Sequence, residues 1–171
     1  KKDKKADPAA PVLAVYAKAD LATRVALLPL LGRLGGRKSL AFVSDAVASD
    51  DREMKTAGIR ALCNWPDASV AGRLLSLAEN HPEEPQRTWA LRAYVRVITL
   101  KSDRPEAETL AMLRHAMSFA RGDAERRLIV ERAATVHPVR LVDQPSQGLD
   151  IGALPGGCAA FGGVITCVLD A

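Results

Sequence analysis

Arginines and aromatic residues alternate between positions 87 and 96, and they are the residues of this chain best suited to recognition chemistry. They are Arg87, Trp89, Arg92, Tyr94 and Arg96. Guanidinium groups bind carboxylate and phosphate oxygens, and aromatic rings stack on bases or apolar side chains. The cluster therefore predicts an interaction surface, with nucleic acid as one ligand. The alternative is structural: Tyr94 packs in the core and the arginines anchor loops by pairing with acidic helix caps.

Acidic residues concentrate at predicted helix starts rather than in a pair suited to acid–base catalysis. A carboxylate at a helix start accepts hydrogen bonds from unpaired amides and interacts favourably with the helix dipole. Glu84 is such a cap, and it is the expected partner of the nearby arginines. The sequence contains neither the residue order of a Ser-His-Asp triad nor a nucleophile elbow.

The segment from Gly32 to Ser39 contains the glycines and the lysine of a phosphate-binding loop. In that loop a glycine directly precedes the lysine and a strand precedes the whole motif. Here Arg37 precedes Lys38, and the segment follows an amphipathic helical pattern. We therefore interpret it as a turn between two helices.

The three histidines and three cysteines are dispersed, at His81, His115 and His137 and at Cys63, Cys158 and Cys167. No two cysteines have the C-x-x-C spacing of a zinc or redox site, and no His-Glu pair that could bind iron is present. We therefore predict no catalytic, cofactor-binding or metal-binding residues, no cofactor, and a protein that is not an enzyme.

The composition favours closely packed helices. Hydrophobic residues make up 48% of the chain and aromatic residues only 4%, so the apolar content comes mainly from Ala, Leu and Val. The net charge is +4, but the segment from Lys1 to Lys5 contributes +3 and leaves +1 for the remainder. A flexible lysine-rich tail and a nearly neutral body argue against nucleic-acid binding.

A repeat with a spacing of 31 to 39 residues runs through the chain, registered on Arg24, Lys55, Arg87 and Arg126. Apolar or small residues stand 4, 7 and 10 positions after each of these bases. Position 4 holds Leu28, Ile59, Leu91 and Val130; position 7 holds Leu31, Leu62, Tyr94 and Ala133; position 10 holds Leu34, Trp65, Val97 and Val136. These offsets share one helical face, so each unit is predicted to bury this stripe.

Start and stop signals divide the units into helices. The spacings Asp50-x-x-Glu53 and Asp103-x-x-Glu106 are those of a capping box, and Gly35-Gly36 falls just past a stripe, where the chain must turn. The predicted helices cover residues 9–17, 20–34, 38–48, 51–64, 67–80, 84–100, 105–121 and 123–136.

The helical pattern ends near Pro145. The last 27 residues hold six of the twelve glycines, and residues 151–169 carry no charge. Nineteen residues suffice to cross a bilayer, but five glycines and Pro155 argue against insertion. A strand over 161–169, a flexible connection and a segment foreign to the repeat remain open. The predicted domains are a lysine-rich tail (1–7), a repeat domain (8–144) and a glycine-rich tail (145–171).

The repeated motif is an acidic cap, a base four residues later, and an Ala- and Leu-rich stripe that ends in a turn. It begins at Asp20-x-x-x-Arg24 in the first unit and at Asp51-x-x-x-Lys55 in the second. Over about residues 10 to 140 this motif resembles the short bacterial HEAT repeats. The resemblance implies an all-α fold, a right-handed α-solenoid of antiparallel helix pairs. The fourth unit departs from the motif, since Ala133 and Ala134 stand where larger residues occur.

The resemblance also implies a role. HEAT repeats bind macromolecules on a concave face or space apart the domains of larger, often exported, bacterial proteins. We expect a non-catalytic interaction scaffold or spacer, a fragment of a larger bacterial protein, with a protein partner of unknown identity and no membrane. Because the first residue is Lys1 rather than Met, the localisation stays open.

The alternative function is a nucleic-acid-binding solenoid similar to the HEAT-like DNA glycosylases. The charge of the second helices of each pair separates the two hypotheses, because a mixed charge there removes the electrostatic basis for binding phosphates. The bases Arg37, Lys38, Arg73, Arg114 and Arg121 are offset by Asp45, Glu79, Glu106 and Glu108.

Overall fold

The computed structural model describes residues 7–136 and the backbone of residues 159–161 and 164–166. The chain divides into two compact units, residues 1–138 and residues 139–171. In the described part of the second unit, β1 (Ala159–Phe161) pairs antiparallel with β2 (Val164–Thr166). The remainder of the glycine-rich tail, and with it most of the uncharged span 151–169, lies outside the described residues.

All regular structure between residues 7 and 136 is helical, which confirms the all-α prediction for this unit. The helices are α1 (Ala10–Lys18), α2 (Leu21–Leu34), α3 (Arg37–Val47), α4 (Arg52–Cys63), α5 (Ala71–Asn80), α6 (Glu84–Ile98), α7 (Glu106–Ser118) and α8 (Asp123–Val136). A short 3-10 turn, Ala68–Val70, precedes α5 and replaces the start of the predicted helix 67–80. Among the described residues, none of the helices has the length and apolar character needed to cross a membrane.

Acidic caps begin α2 and α4. The Asp20 carboxylate accepts a hydrogen bond from the Thr23 amide at 2.9 Å, and the Asp51 carboxylate accepts one from the Met54 amide at 2.8 Å. The capping box predicted at Asp50 is therefore wrong by one residue, because Asp51 takes the extended N-cap conformation.

The capping box predicted at Asp103 and Glu106 is also wrong. Pro105 occupies the N-cap position of α7, and it makes no side-chain cap. Proline has a fixed φ that suits the chain just before a helix. Asp103 is thereby left outside the helix, and Glu106 becomes its first residue.

Seven of the eight helices described form two sets that differ in their contacts, and α1 packs against α2. In the first set, α2 contacts α4, α4 contacts α6 and α6 contacts α8; we name these four helices row A. Each helix of the second set contacts a helix of row A, with α3 against α4, α5 against α6 and α7 against α8; we name these three helices row B. The first helix of each predicted unit therefore lies in row A, and the second lies in row B.

The predicted stripe forms the core in the first three units. Leu28, Ile59 and Leu91 at position 4 are all buried, as are Leu31, Leu62 and Tyr94 at position 7. Trp65 and Val97 at position 10 are also buried, and Leu34 packs against the core while partly buried. The repeat register is thus confirmed for α2, α4 and α6.

The fourth unit departs from this pattern at position 4, whereas Ala133 and Val136, at positions 7 and 10, pack against the core while partly buried. Val130 is 58% exposed, whereas Ile129, one residue earlier, is 2% exposed. Near the start of the same helix, the Glu125 carboxylate accepts hydrogen bonds from the Arg121 amide and the Thr88 hydroxyl on α6. These bonds join α8 to α6 and to the preceding turn, and in α8 Ile129 rather than Val130 faces the core.

A glycine permits unusually close packing between α2 and α4. A Cβ placed on Gly32 would lie 2.3 Å from the Ala61 carbonyl oxygen, so the two helix backbones touch there. The next two glycines make the predicted turn, because Gly35 and Gly36 have φ angles of +67° and +88°. Small residues at these places fix both the spacing of row A and the direction of the chain into α3.

Candidate functional site

Three shallow grooves run along row A, one between each pair of neighbouring helices. The α2–α4 groove has a volume of about 470 Å³, the α4–α6 groove about 400 Å³ and the α6–α8 groove about 280 Å³. The α4–α6 groove is lined by Arg60, Cys63, Asn64, Trp89, Arg92, Ala93 and Arg96. It contains three of the five residues of the predicted arginine-aromatic cluster, and it is the candidate site.

Trp89 forms the aromatic part of this groove. The guanidinium carbon of Arg60, on α4, lies 4.7 Å from the centroid of the Trp89 ring on α6. A guanidinium at this distance is attracted by the ring quadrupole, which orients Arg60 across the groove. The same contact leaves the edge of the guanidinium, with its N–H donors, accessible to a ligand, since Arg60 is exposed.

Arg96 has a structural role at the floor of the groove. Its guanidinium donates hydrogen bonds to the carbonyl oxygens of Cys63, at 3.1 Å, and Trp65, at 2.6 Å. These are unpaired carbonyls at the C-terminal end of α4, where a cation is favoured. The predicted anchoring of a loop by this arginine is confirmed, but its partner is main-chain oxygen rather than Glu84.

Tyr94, the other aromatic residue of the cluster, is in the core. It is 2% exposed, as the repeat register predicts. Burial raises the pKa of its hydroxyl above the ordinary value, and the positive charge of Arg104 opposes this rise. Tyr94 therefore takes no part in the groove, and Trp89 is the aromatic side chain that a ligand can reach there.

Cys63 lines the groove with its thiol held in the protonated form. Burial raises its pKa to about 12, and the nearby charge of Arg96 only partly opposes this shift. A thiolate is the nucleophilic form of cysteine, and it is not populated at neutral pH under these conditions. The groove thus supplies positive charge and apolar surface rather than an activated nucleophile.

The α6–α8 groove is different because it contains carboxylates. Glu84 and Glu125 line it together with Arg87, Arg92 and Arg121. Burial acts to raise the pKa of Glu125, but hydrogen bonds from the Arg121 and Gly122 amides and the Thr88 hydroxyl, with the charge of Arg92, outweigh it and lower the pKa. Glu125 is thereby held as an anion that joins α8 to α6.

The net positive charge of the helices lies in row A. The helices of row A contain eleven Lys and Arg residues against five Asp and Glu residues, a surplus of six. The helices of row B contain four of each sign and are neutral. The predicted mixed charge of the second helices is thus confirmed, and the positive surplus of the helices lies in the first helices.

The other residues considered for chemistry are not brought together. The segment from Gly32 to Ser39 spans the end of α2 and the start of α3, in agreement with an inter-helix turn. His115 lies 3.5 Å from a Glu79 carboxylate oxygen, a pairing between α7 and α5 that the sequence does not reveal. Within the described residues, no group of three or more His, Cys, Asp or Glu side chains is arranged to hold a metal ion.

Arg60 is the residue of the groove that was missed by the prediction. A signal for it exists: Arg60 stands five residues after Lys55, and Arg92 stands five residues after Arg87, so the two arginines occupy equivalent positions in successive units. Because this position lies outside the apolar stripe, hydrophobic periodicity does not reveal it.

Comparison with known proteins gives no further guide. No protein-family model matches the chain, and searches of curated proteins and of solved structures also found no match.

Proposed function

We propose that residues 10 to 136 form a right-handed, HEAT-like α-solenoid of antiparallel helix pairs that acts as a non-catalytic protein-interaction scaffold. Two features support this architecture: the sequence repeat in register with buried stripes, and the contacts that run from α2 to α4, α6 and α8. In this proposal the ligand is bound on row A. The proposed surface differs from the one implied by the resemblance, which is formed by the second helices.

The observation that carries this proposal is the α4–α6 groove, where exposed arginines surround a partly exposed tryptophan. Trp and Arg are the residue types that most often dominate the energetics of protein interfaces. A surface arginine held over an aromatic ring has lost part of its conformational freedom in advance, so less entropy is lost when a partner binds. These properties suit an interface better than a merely solvated helix face.

The test is the capture of partners by the full chain, followed by binding measurements with each candidate partner as a purified protein. The row A variant, Arg60→Glu with Arg92→Glu, is compared with a row B control variant, Lys38→Glu with Arg114→Glu. Both variants change the net charge equally, and all four side chains are exposed. We expect the row A variant to lose binding and the control to keep it. A partner that binds both variants equally would contradict the choice of row A.

Nucleic-acid binding is a second candidate, and the positive surplus of row A is the observation that favours it. Binding to phosphates weakens steeply as salt rises, because counterions are released on binding. The measurement is the fluorescence anisotropy of a labelled DNA duplex and of a labelled single strand at two salt concentrations. Strong, salt-sensitive binding that the row A variant loses would establish this second function in place of the first.

A further inference from the structure

The charges around the α4–α6 groove identify the kind of ligand it fits. Arg60 and Arg92 are both exposed, and neither forms an ion pair with a described carboxylate. None of the side chains that line the groove is acidic. Three arginines therefore line this groove together with Trp89 and without a carboxylate, although Glu125 in the neighbouring groove interacts electrostatically with Arg92. The ligand that complements this surface carries negative charge.

The neighbouring grooves limit how long the negatively charged part of the ligand can be. Glu53 lines the α2–α4 groove on one side, and Glu84 and Glu125 line the α6–α8 groove on the other. A continuous phosphate backbone that crossed row A would pass close to these carboxylates, and like charges repel. A short acidic stretch that ends within the α4–α6 groove avoids them.

The apolar surface of the groove indicates that the ligand also contributes an apolar side chain. Trp89 and Ala93 contribute carbon surface, and Cys63 contributes a protonated thiol. A volume of about 400 Å³ accommodates one or two side chains rather than a folded domain. An apolar side chain that covers Trp89 removes its remaining surface from water and excludes water from the arginine contacts.

We infer that the α4–α6 groove binds a short acidic segment of a partner protein, with one aromatic or aliphatic side chain against Trp89 and flanking carboxylates on Arg60 and Arg92. The planar fork of each guanidinium matches a carboxylate with two parallel hydrogen bonds. This inference rests on the proposed scaffold function, and it specifies the chemistry of the partner at one groove.

The test uses the full chain and a labelled decapeptide of glutamates and aspartates with one central phenylalanine. The readouts are fluorescence anisotropy of the peptide and acrylamide quenching of the two tryptophans of the chain. Trp65 is 1% exposed, so acrylamide quenches mainly the emission of Trp89. We expect saturable binding that protects the emission from quenching. The row A variant should weaken this binding about tenfold or more, and the row B control variant should retain it.

Further variants separate recognition from folding and from general charge. Trp89→Ala should lower the affinity for the peptide at least about tenfold, whereas Trp89→Phe, which keeps an aromatic ring, should retain most of the affinity. A peptide with serine in place of phenylalanine should bind more weakly, and circular dichroism should show helical content unchanged in every variant. Equal binding by the row A variant and the control, or absence of quenching protection, would overturn the inference.

One result would overturn this inference alone, and another would overturn the proposed function as well. If a purified partner binds the full chain and the row A variant equally, the groove assignment fails while the scaffold function stands. If a labelled single-stranded DNA competes the peptide off and binds more tightly with the same dependence on Arg60 and Arg92, the groove is a nucleic-acid site and both proposals fail.

Discussion

Row A and row B are built from similar helices, yet they differ in packing and in charge. In row A the backbone of α2 touches that of α4 at Gly32, and a side chain of α6 binds the end of α4 through Arg96. In row B, Gly72 on α5 has open space where a side chain would stand, and Arg73 of α5 meets α3 through the Ser44 hydroxyl. The helices of row A thus pack against one another along the row, whereas those of row B make their main contacts with row A.

Replacing Gly32 with alanine should give the largest effect and test whether backbone contact defines row A. The added Cβ would meet the Ala61 carbonyl oxygen at 2.3 Å, and neither backbone can move without separating α2 from α4. We expect a loss of about 3 kcal/mol or more in the free energy of unfolding, measured by urea denaturation.

Gly72→Ala is the matched control in row B. Because nothing lies within 4 Å of the added Cβ, alanine should raise stability by about 0.5 kcal/mol through its higher helix propensity. Equal effects at the two glycines would contradict the contrast in packing between the rows.

Ile129→Ala and Val130→Ala test how far the order of row A extends into α8. Ile129 is 2% exposed and Val130 is 58% exposed. Truncating Ile129 should cost about 2 to 3 kcal/mol, since it removes buried methyl groups, whereas truncating Val130 should change stability by less than about 0.5 kcal/mol. Thermal denaturation followed by circular dichroism measures both. A larger loss for Val130→Ala than for Ile129→Ala would indicate that Val130, four residues after Arg126, is the buried residue, as the sequence register predicts.

Arg96→Ala should have an intermediate effect on stability. Its loss leaves the carbonyl oxygens of Cys63 and Trp65 without their charged donor, which should cost about 1 to 2 kcal/mol in urea denaturation. Arg73→Ala is the row B comparison. Arg73 is exposed and donates to one hydroxyl, so we expect a change below about 0.5 kcal/mol. If both substitutions were neutral, the bonds from Arg96 would not stabilise row A.

Acidification should give the smallest effect, and it tests the link between α6 and α8. The pKa of Glu125 is lowered in the folded chain, so its contribution to stability is fully present above the ordinary value of 4.5 and is lost as pH falls through the folded value. We expect this contribution to the free energy of unfolding to be less than about 1 kcal/mol, and we expect Glu125→Gln to abolish the corresponding part of the pH dependence. The measurement is urea denaturation from neutral pH downward.

Glu131→Gln, on the exposed surface of the same helix, is the control for this measurement. The control removes one carboxylate but none of the hydrogen bonds that hold α8. A pH dependence that is the same in the wild type and the Glu125 variant would show that the bonds to Arg121 and Thr88 do not stabilise the anion.

The helices of this chain are predictable from sequence because their signals are local. The stripe at Leu28, Leu31 and their equivalents, with the cap at Asp20, requires only the neighbouring turns of one helix. In α8 the burial of Val130 was predicted wrongly. The bond that joins this helix to α6, between Glu125 and Thr88, links residues 37 apart. A contact of that separation leaves no periodic trace in a single sequence.

Part of the candidate site was predictable from the sequence because three of its residues lie in one helix. Trp89, Arg92 and Arg96 lie within one helix, so their spacing reveals a shared surface. Arg60 belongs to the preceding unit, and its place over the Trp89 ring depends on the packing of α4 against α6. Tyr94 shows the converse, since the repeat register alone places it in the core.

The bonds from Arg96 to the end of α4 have a consequence for how the helices melt. They join one unit to the next, so the last turn of α4 cannot fray without giving up contacts made by α6. In an array of repeats, stability is the sum of the units and of the couplings between neighbours, and strong coupling makes adjacent units unfold together. Hydrogen exchange should therefore find the amides of α4 and α6 opening in a single cooperative event.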